Sequence, residues 1–262
     1  MKKKILALAT IFGAVVLVSC ELNEAPQQDL VSEATLSKIS AMGFSTENVQ
    51  RTDGGYLVEG DIILHDHDLN GSHDHKNLRI AEVEQYRTFN LVTGLPRTIR
   101  VGTSGNVPAS VSSAINAAIT RYNNENLGLT FQRVTSGTVD ITVKIVNGGS
   151  YIASAGFPSN GNPYNTVNFN KRYANYSAGF LTTVIAHEIG HCIGFRHTDY
   201  MNRAYSCGSG GNEGQETTGV GAVHIPGTPT GPDAASWMLA CLSSTTDRPF
   251  NNNDKVALDY LY

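Results

Sequence analysis

His187-Glu188-Ile189-Gly190-His191-Cys192-Ile193-Gly194-Phe195-Arg196-His197 is the stretch from which the rest of the chain can be interpreted. A helix is expected over residues 178–193, ended by Gly194. On it, His187 and His191 stand four residues apart, on one face and one turn from each other, so both imidazoles can meet a single cation. Gly194 permits a conformation that other residues resist, and three residues later His197 can return to the same ion. Three neutral nitrogens leave one tetrahedral position open, as in a catalytic rather than a structural zinc site. Glu188 sits one step round the helix, beside the ion but not needed as a ligand, where a general base belongs. Zinc lowers the pKa of water from ~15.7 towards ~7 and polarises a carbonyl, so hydrolysis needs no covalent intermediate. The short HExxH string occurs by chance. Gly194 and His197 at fixed offsets reduce a random match to on the order of one in ten thousand. Histidines merely satisfied on a polar helix face would leave that glycine and the third histidine unexplained.

Upstream, Arg97 to Val101 suggests a strand, and Pro108 opens a helix to Asn124 with Val111, Ile115, Ala118, Ile119 and Tyr122 on one face. A second strand follows at 129–134. Val139, Ile141, Val143 and Ile145 then alternate with Asp140, Thr142 and Lys144, which predicts a third strand with one buried face. Residues 151–155 and 166–170 are shorter strand candidates. Strand, helix, three strands and a helix describe an α/β unit with a mixed sheet. Downstream, residues 202–235 are rich in Gly, Ser, Thr and Pro, and a loop of that length is often functional. Asn253-Asp254 then caps a last helix whose Val256, Ala257, Tyr260 and Leu261 can pack on the domain.

HEIGHCIGFRH followed by a methionine turn resembles the metzincin clan of zinc peptidases, and the literal HEIGH string is similar to the bacterial dual-action HEIGH metallopeptidase family. The resemblance covers residues 91–262. It implies a metzincin-like (zincin) domain of mixed α/β class with a twisted sheet, an active-site helix and a Met-turn, preceded by an N-terminal extension. It also implies metal ligands His187, His191 and His197, catalytic Glu188, and Met238 in Ser236-Trp237-Met238 as the apolar floor under the ion. Met201 is a weaker candidate for that floor, being four residues after His197. The segment around 153–170 resembles a matrixin edge strand and bulge, implying Ile152, Ala153, Ser154 and Ala155 as a substrate-binding edge gripped through main-chain pairing. Ala240 stands where an astacin-like tyrosine ligand would, and the N-terminal region has no cysteine but Cys20, so neither a fifth ligand nor a matrixin cysteine switch is supported.

Residues 1–19 carry Lys2, Lys3 and Lys4 and then an acid-free apolar run, which suggests a signal peptide too short to span a membrane. Leu17-Val18-Ser19-Cys20 looks like a bacterial lipobox with Cys20 as the lipidation site. A lipid-anchored or secreted envelope protein is expected, touching membrane only through that lipid. Without the three lysines, Lys+Arg falls from 19 to 16 against 23 Asp+Glu, which argues against nucleic acid as a partner. Protein or peptide substrates and a monomer are expected. Cys192, Cys207 and Cys241 are odd in number, so one disulfide and one free thiol is the simplest outcome.

Residues 20–90 are expected to form a tether and a propeptide-like or accessory region. The tether to about residue 30 precedes a helical LSKISAMGF closed by Gly43 and a β-like GGYLVEGDIIL. The cluster His65, Asp66, His67, Asp68, His73, Asp74 and His75 is a hydrophilic loop that could hold calcium or zinc, or block the active-site ion until processing. His224 is assigned to the surface or a substrate loop, Asp233 to a turn, and Arg196 to solvent. Asp199 and Tyr200 follow His197 closely enough to support the ligands. Together these predict a zinc-dependent endopeptidase. The rivals are a surface-displayed binding lipoprotein with a vestigial or structural zinc site, and a metal-scavenging lipoprotein built on the His/Asp cluster.

Overall fold

A computed structural model describes residues 31–70, 85–212, 219–229 and 232–262. The signal peptide, Cys20, the tether to residue 30, and His73, Asp74 and His75 lie outside the described residues. In chain order the elements begin with α1 (Glu33–Ala41), β1 (Gln50–Thr52), β2 (Gly55–Val58), β3 (Ile62–Leu64) and β4 (Tyr86–Arg87). There follow β5 (Arg97–Ser104), α2 (Ala109–Asn123), β6 (Leu129–Arg133), β7 (Ile141–Val146), β8 (Ala153–Ser154) and β9 (Thr166–Asn170). The chain closes with α3 (Ala178–Cys192), β10 (Phe195–Arg196), α4 (Ala204–Cys207), β11 (Val223–His224) and α5 (Asn252–Leu261).

Five strands make the main sheet in the order β6-β5-β7-β9-β8. The first four are parallel and the edge strand β8 is antiparallel, so the sheet is mixed. Ile99, Val101, Ile141, Val143, Val167 and Phe169 share one core with α2 and α3. The five apolar positions of α2 are all buried, Val111, Ile115 and Ile119 each contributing about 1.5–3 kcal/mol of transfer free energy. α3 is buried on every side from Phe180 to Cys192, as a helix through the centre of a core must be. It starts where Ser177 accepts from the Phe180 amide, at 3.3 Å. Tyr122 of α2 donates its hydroxyl to the Ala186 carbonyl of α3, at 2.8 Å, which fixes the two helices against each other.

Two expectations are corrected. Val139 is exposed, because β7 starts only at Ile141, after Asp140 has turned its carboxylate to the Arg100 guanidinium, 2.7 Å away. Val256 and Tyr260 also face out, since the phase of α5 buries Asp254, Ala257 and Leu258 instead.

β1, β2 and β3 form a separate antiparallel sheet, and β4 pairs between β10 and β11 in a third. Ile39, Met42, Phe44, Ile62 and Leu64 close a second core with Phe157 and Val220, which packs the N-terminal region onto the body. Val31–Tyr262 is accordingly one compact unit. Arg196, expected in solvent, is fully buried there: its guanidinium lies 4.4 Å from the Phe44 ring and donates to the Val220 carbonyl. Cys207 and Cys241 form the disulfide, and Cys192 is the buried free thiol. Among the described residues no helix is long and apolar enough to cross a membrane.

Candidate metal centre

α3 brings His187 and His191 to one face, and the turn at Gly194 brings His197 back to them. The ring centroids stand 4.7, 4.9 and 5.3 Å apart. Gly194 has φ +108, and a Cβ there would lie 3.0 Å from the Asn90 carbonyl oxygen, so both conformation and space require glycine. Gly190 has another reason: a Cβ would lie 2.6 Å from Met238 Sδ, which is pressed against the helix between His187 and His191. Met238 is thus buried at the helix turn carrying two of the imidazoles, whereas Met201 packs near Tyr86, Tyr200 and Ala222.

Two ring nitrogens are oriented by carbonyls. His187 Nδ1 faces the Trp237 oxygen at 2.9 Å, and His191 Nδ1 the Phe195 oxygen at 2.8 Å. A carbonyl only accepts, so each Nδ1 carries the proton and each Nε2 keeps its lone pair. Both Nε2 atoms are buried with no hydrogen-bond partner among the described residues, as are Glu188 Oε2 and Asp61 Oδ1. Burial, with His187 and His197 as neighbours, drives His191 well below its usual pKa and keeps it neutral, as a metal ligand must be. Glu188 is pushed well above the carboxylate range by burial and by the Asp61 charge, against which His197 pulls only partly.

The sequence reading omits Asp61, and the fold delivers it to the histidines. Its Oδ2 lies 3.1 Å from His197 Nε2 and 3.6 Å from His187 Nε2. Burial alone would raise its pKa, but the three histidines outweigh that and hold it well below the usual value. Asp61, His187, His191 and His197 each offer an atom within 4.8 Å of the others, a set that one ion can draw together. The available signal was an acid inside the apolar run 57–64. Nothing local says that this run crosses the histidines.

Residues 57–262 match the dual-action HEIGH metallo-peptidase family. The chain belongs to that family. Two solved structures of myroilysin are similar to this HEIGH metallopeptidase. One is 18% identical with TM-score 0.46, covering 66% of this chain and 96% of the other. The second is 19% identical with TM-score 0.41, covering 69% and 90%. A comparison with curated proteins returns no match.

The remaining expected residues of this metallopeptidase divide by position. Ile152 and Ala153 line a cleft of ≈ 320 Å³ together with His187 and Glu188, and Ala153 and Ser154 are β8 itself. Ala155 is hydrogen-bonded to residues 61 and 63. Asp199 does not reach the imidazoles. Its carboxylate accepts from Ser206 Oγ at 2.5 Å and the Ala240 amide at 2.9 Å, tying the two loops that the disulfide also joins. Tyr200 stacks edge-on against Tyr86. His224 is half-buried in β11, with Nε2 3.2 Å from the Thr228 hydroxyl, away from the metal cluster. Asp233 accepts from the Ala235 amide in a turn, as expected, and also from Asn251 and Asn253. Asp68, from the His/Asp cluster, accepts from the His65 amide at 2.8 Å and caps a local turn.

Proposed function

We propose that the chain is a zinc endopeptidase of metzincin type, with His187, His191 and His197 as zinc ligands, Glu188 as general base and Met238 as the floor of the site. The observation that carries this is the pair of buried Nε2 atoms, neither of them hydrogen-bonded among the described residues while carbonyls orient each Nδ1. Nitrogen lone pairs prepared in this way and removed from water are costly unless an ion takes them up. When bound, zinc supplies Lewis acidity towards a peptide carbonyl and makes water acidic near neutral pH. Glu188, buried beside the ligands, takes up the proton of the attacking water and passes it to the departing amine. Trp237 and Phe195 orient the rings through their carbonyls, and the apolar walls of the cleft exclude bulk water.

Substrates are proteins or peptides, laid along the edge formed by Ile152, Ala153, Ser154 and Ala155 through main-chain pairing. A structural zinc site has no use for Glu188, which weighs against the binding-lipoprotein reading. We also read Cys20 as a lipid attachment that tethers the enzyme at a bacterial envelope. Glu188→Gln tests the reading in a chain activated to cleave a generic protein. Zinc content should stay at about one per chain while cleavage falls by at least about 10²-fold. Cleavage at the wild-type rate would remove Glu188 from the mechanism.

A further inference from the structure

Residues 59–64 occupy the place where a substrate would have to lie. The Ala155 amide donates to the Asp61 carbonyl at 2.9 Å, and the Ile63 amide donates to the Ala155 carbonyl at 2.7 Å. The main-chain donor and acceptor of Ala155 at the sheet edge are therefore both taken by the chain itself, through a parallel bridge of Ile62 with Ala155. Between those two hydrogen bonds the Asp61 carboxylate turns to the histidines, 3.1 Å from His197 Nε2. An oxygen there would take the place beside a bound ion that a catalytic zinc site keeps for solvent and substrate.

The segment is held on both sides. Before Asp61, Glu59 and Gly60 have φ +58 and +92, and this left-handed pair turns the chain into the cleft. The Glu59 carboxylate lies 3.1 Å from Arg203 Nε, and Arg203 donates to the Glu59 carbonyl at 2.7 Å. After Asp61, Ile62 and Leu64 are anchored in the smaller core. The larger core, which contains α2, α3 and the main sheet, draws its buried residues only from Val92 onwards. Withdrawing the N-terminal region would therefore leave the catalytic core whole.

We infer that residues 59–64 are a built-in inhibitor: Asp61 is the fourth donor to the active-site metal, and its flanking backbone takes the edge pairing that substrate needs. This rests on the metallopeptidase reading above and adds its regulation. The arrangement accounts for an acid being placed in the turn between two apolar strands, and for Arg203 being paired with the segment rather than left to the cleft. The full chain is latent, and activity requires this segment to leave.

The test uses the full chain loaded with zinc, or with cobalt as a spectroscopic substitute, and compares wild type with Asp61→Ala, Asp61→Asn and Ile63→Pro. The proline removes the amide that donates to Ala155 while leaving the carboxylate in place. Circular dichroism establishes that each variant is folded. Both Asp61 variants should change the visible cobalt spectrum and release metal to a chelator at least about tenfold faster. Asp61→Ala and Ile63→Pro should each cleave a fluorogenic protein substrate at least about tenfold faster than the latent wild type, as the competent fraction rises. An unchanged spectrum and release rate in both Asp61 variants would overturn the ligand role. A changed spectrum with full wild-type cleavage would overturn latency. Should cobalt respond to Asp61 while no variant ever cleaves substrate, latency and the endopeptidase reading would fall together while the metal site stood. A chain that binds no metal at the histidines would fail earlier, at the metal site itself.

Discussion

Residues 97–196 and residues 198–251 are built by different means. The first stretch holds the five-stranded sheet, α2 and α3, and most of the larger core. The second contains, among its described residues, only the four residues of α4 and the two of β11 as regular structure. It is fixed by the Cys207–Cys241 disulfide, by Asp199 bridging Ser206 and Ala240, and by Trp237 and Met238 inserted beneath α3. The first region is held by apolar burial spread over many side chains, whereas the second depends on a few local ties. The candidate metal centre spans the two regions: His187 and His191 come from the first, while the carbonyl that orients His187 comes from Trp237 in the second.

The largest break comes from the first region. Phe169→Ala removes a fully buried ring of β9 from the larger core, and urea denaturation should show a loss of about 3–5 kcal/mol in one cooperative transition. Reducing the disulfide should act on the second region, costing about 2–4 kcal/mol. Hydrogen exchange should then rise around residues 199–207 and 236–242 while α2 and the main sheet keep their protection. Uniform loss of protection would erase the contrast. Gly194→Ala strains the junction between the regions and should cost about 1–3 kcal/mol, with zinc affinity falling alongside. Unchanged stability would mean that the turn to His197 is not constrained as described.

A pH dependence of stability should arise at Asp254. Its carboxylate accepts from Gln85 Nε2 at 2.7 Å and from the Asn251 amide at 3.0 Å, at the start of α5. Burial pushes its pKa up to about 7, against the pull of the Asn251 amide, the Ser236 hydroxyl and the Trp237 amide, with the Asp233 charge adding to the rise. The unfolded value is ~3.9. The folded state therefore holds this proton more tightly, and the contribution is fully present below the unfolded value and lost as pH rises through about 7. Denaturation midpoints should fall between these limits in wild type and fall less in Asp254→Asn. An identical slope in the two would exclude Asp254 as the source.

Local periodicity makes much of the first region legible in the sequence. α2 shows its buried stripe, β7 its alternation, and α3 its glycine end and histidine spacing. Ser236-Trp237-Met238 is legible only through a family resemblance, because a methionine in a loop has no periodicity to declare where it packs. Arg196, Asp61 and the pairing of Cys207 with Cys241 are contacts between parts distant in sequence, set by how the smaller core closes over the body. Val139 and Tyr260 show a further limit. A pattern continues on paper past the residue where the element starts or where the partner surface ends.

The central claim is that three imidazoles, two from α3 and one from beyond its glycine turn, share one ion. X-ray absorption at the zinc edge of the loaded full chain tests it most directly. The account predicts one zinc per chain with three nitrogen neighbours at about 2.0–2.1 Å and one oxygen, and the loss of one nitrogen in His197→Ala. A first shell with fewer than three imidazoles, unchanged by His197→Ala, would contradict it.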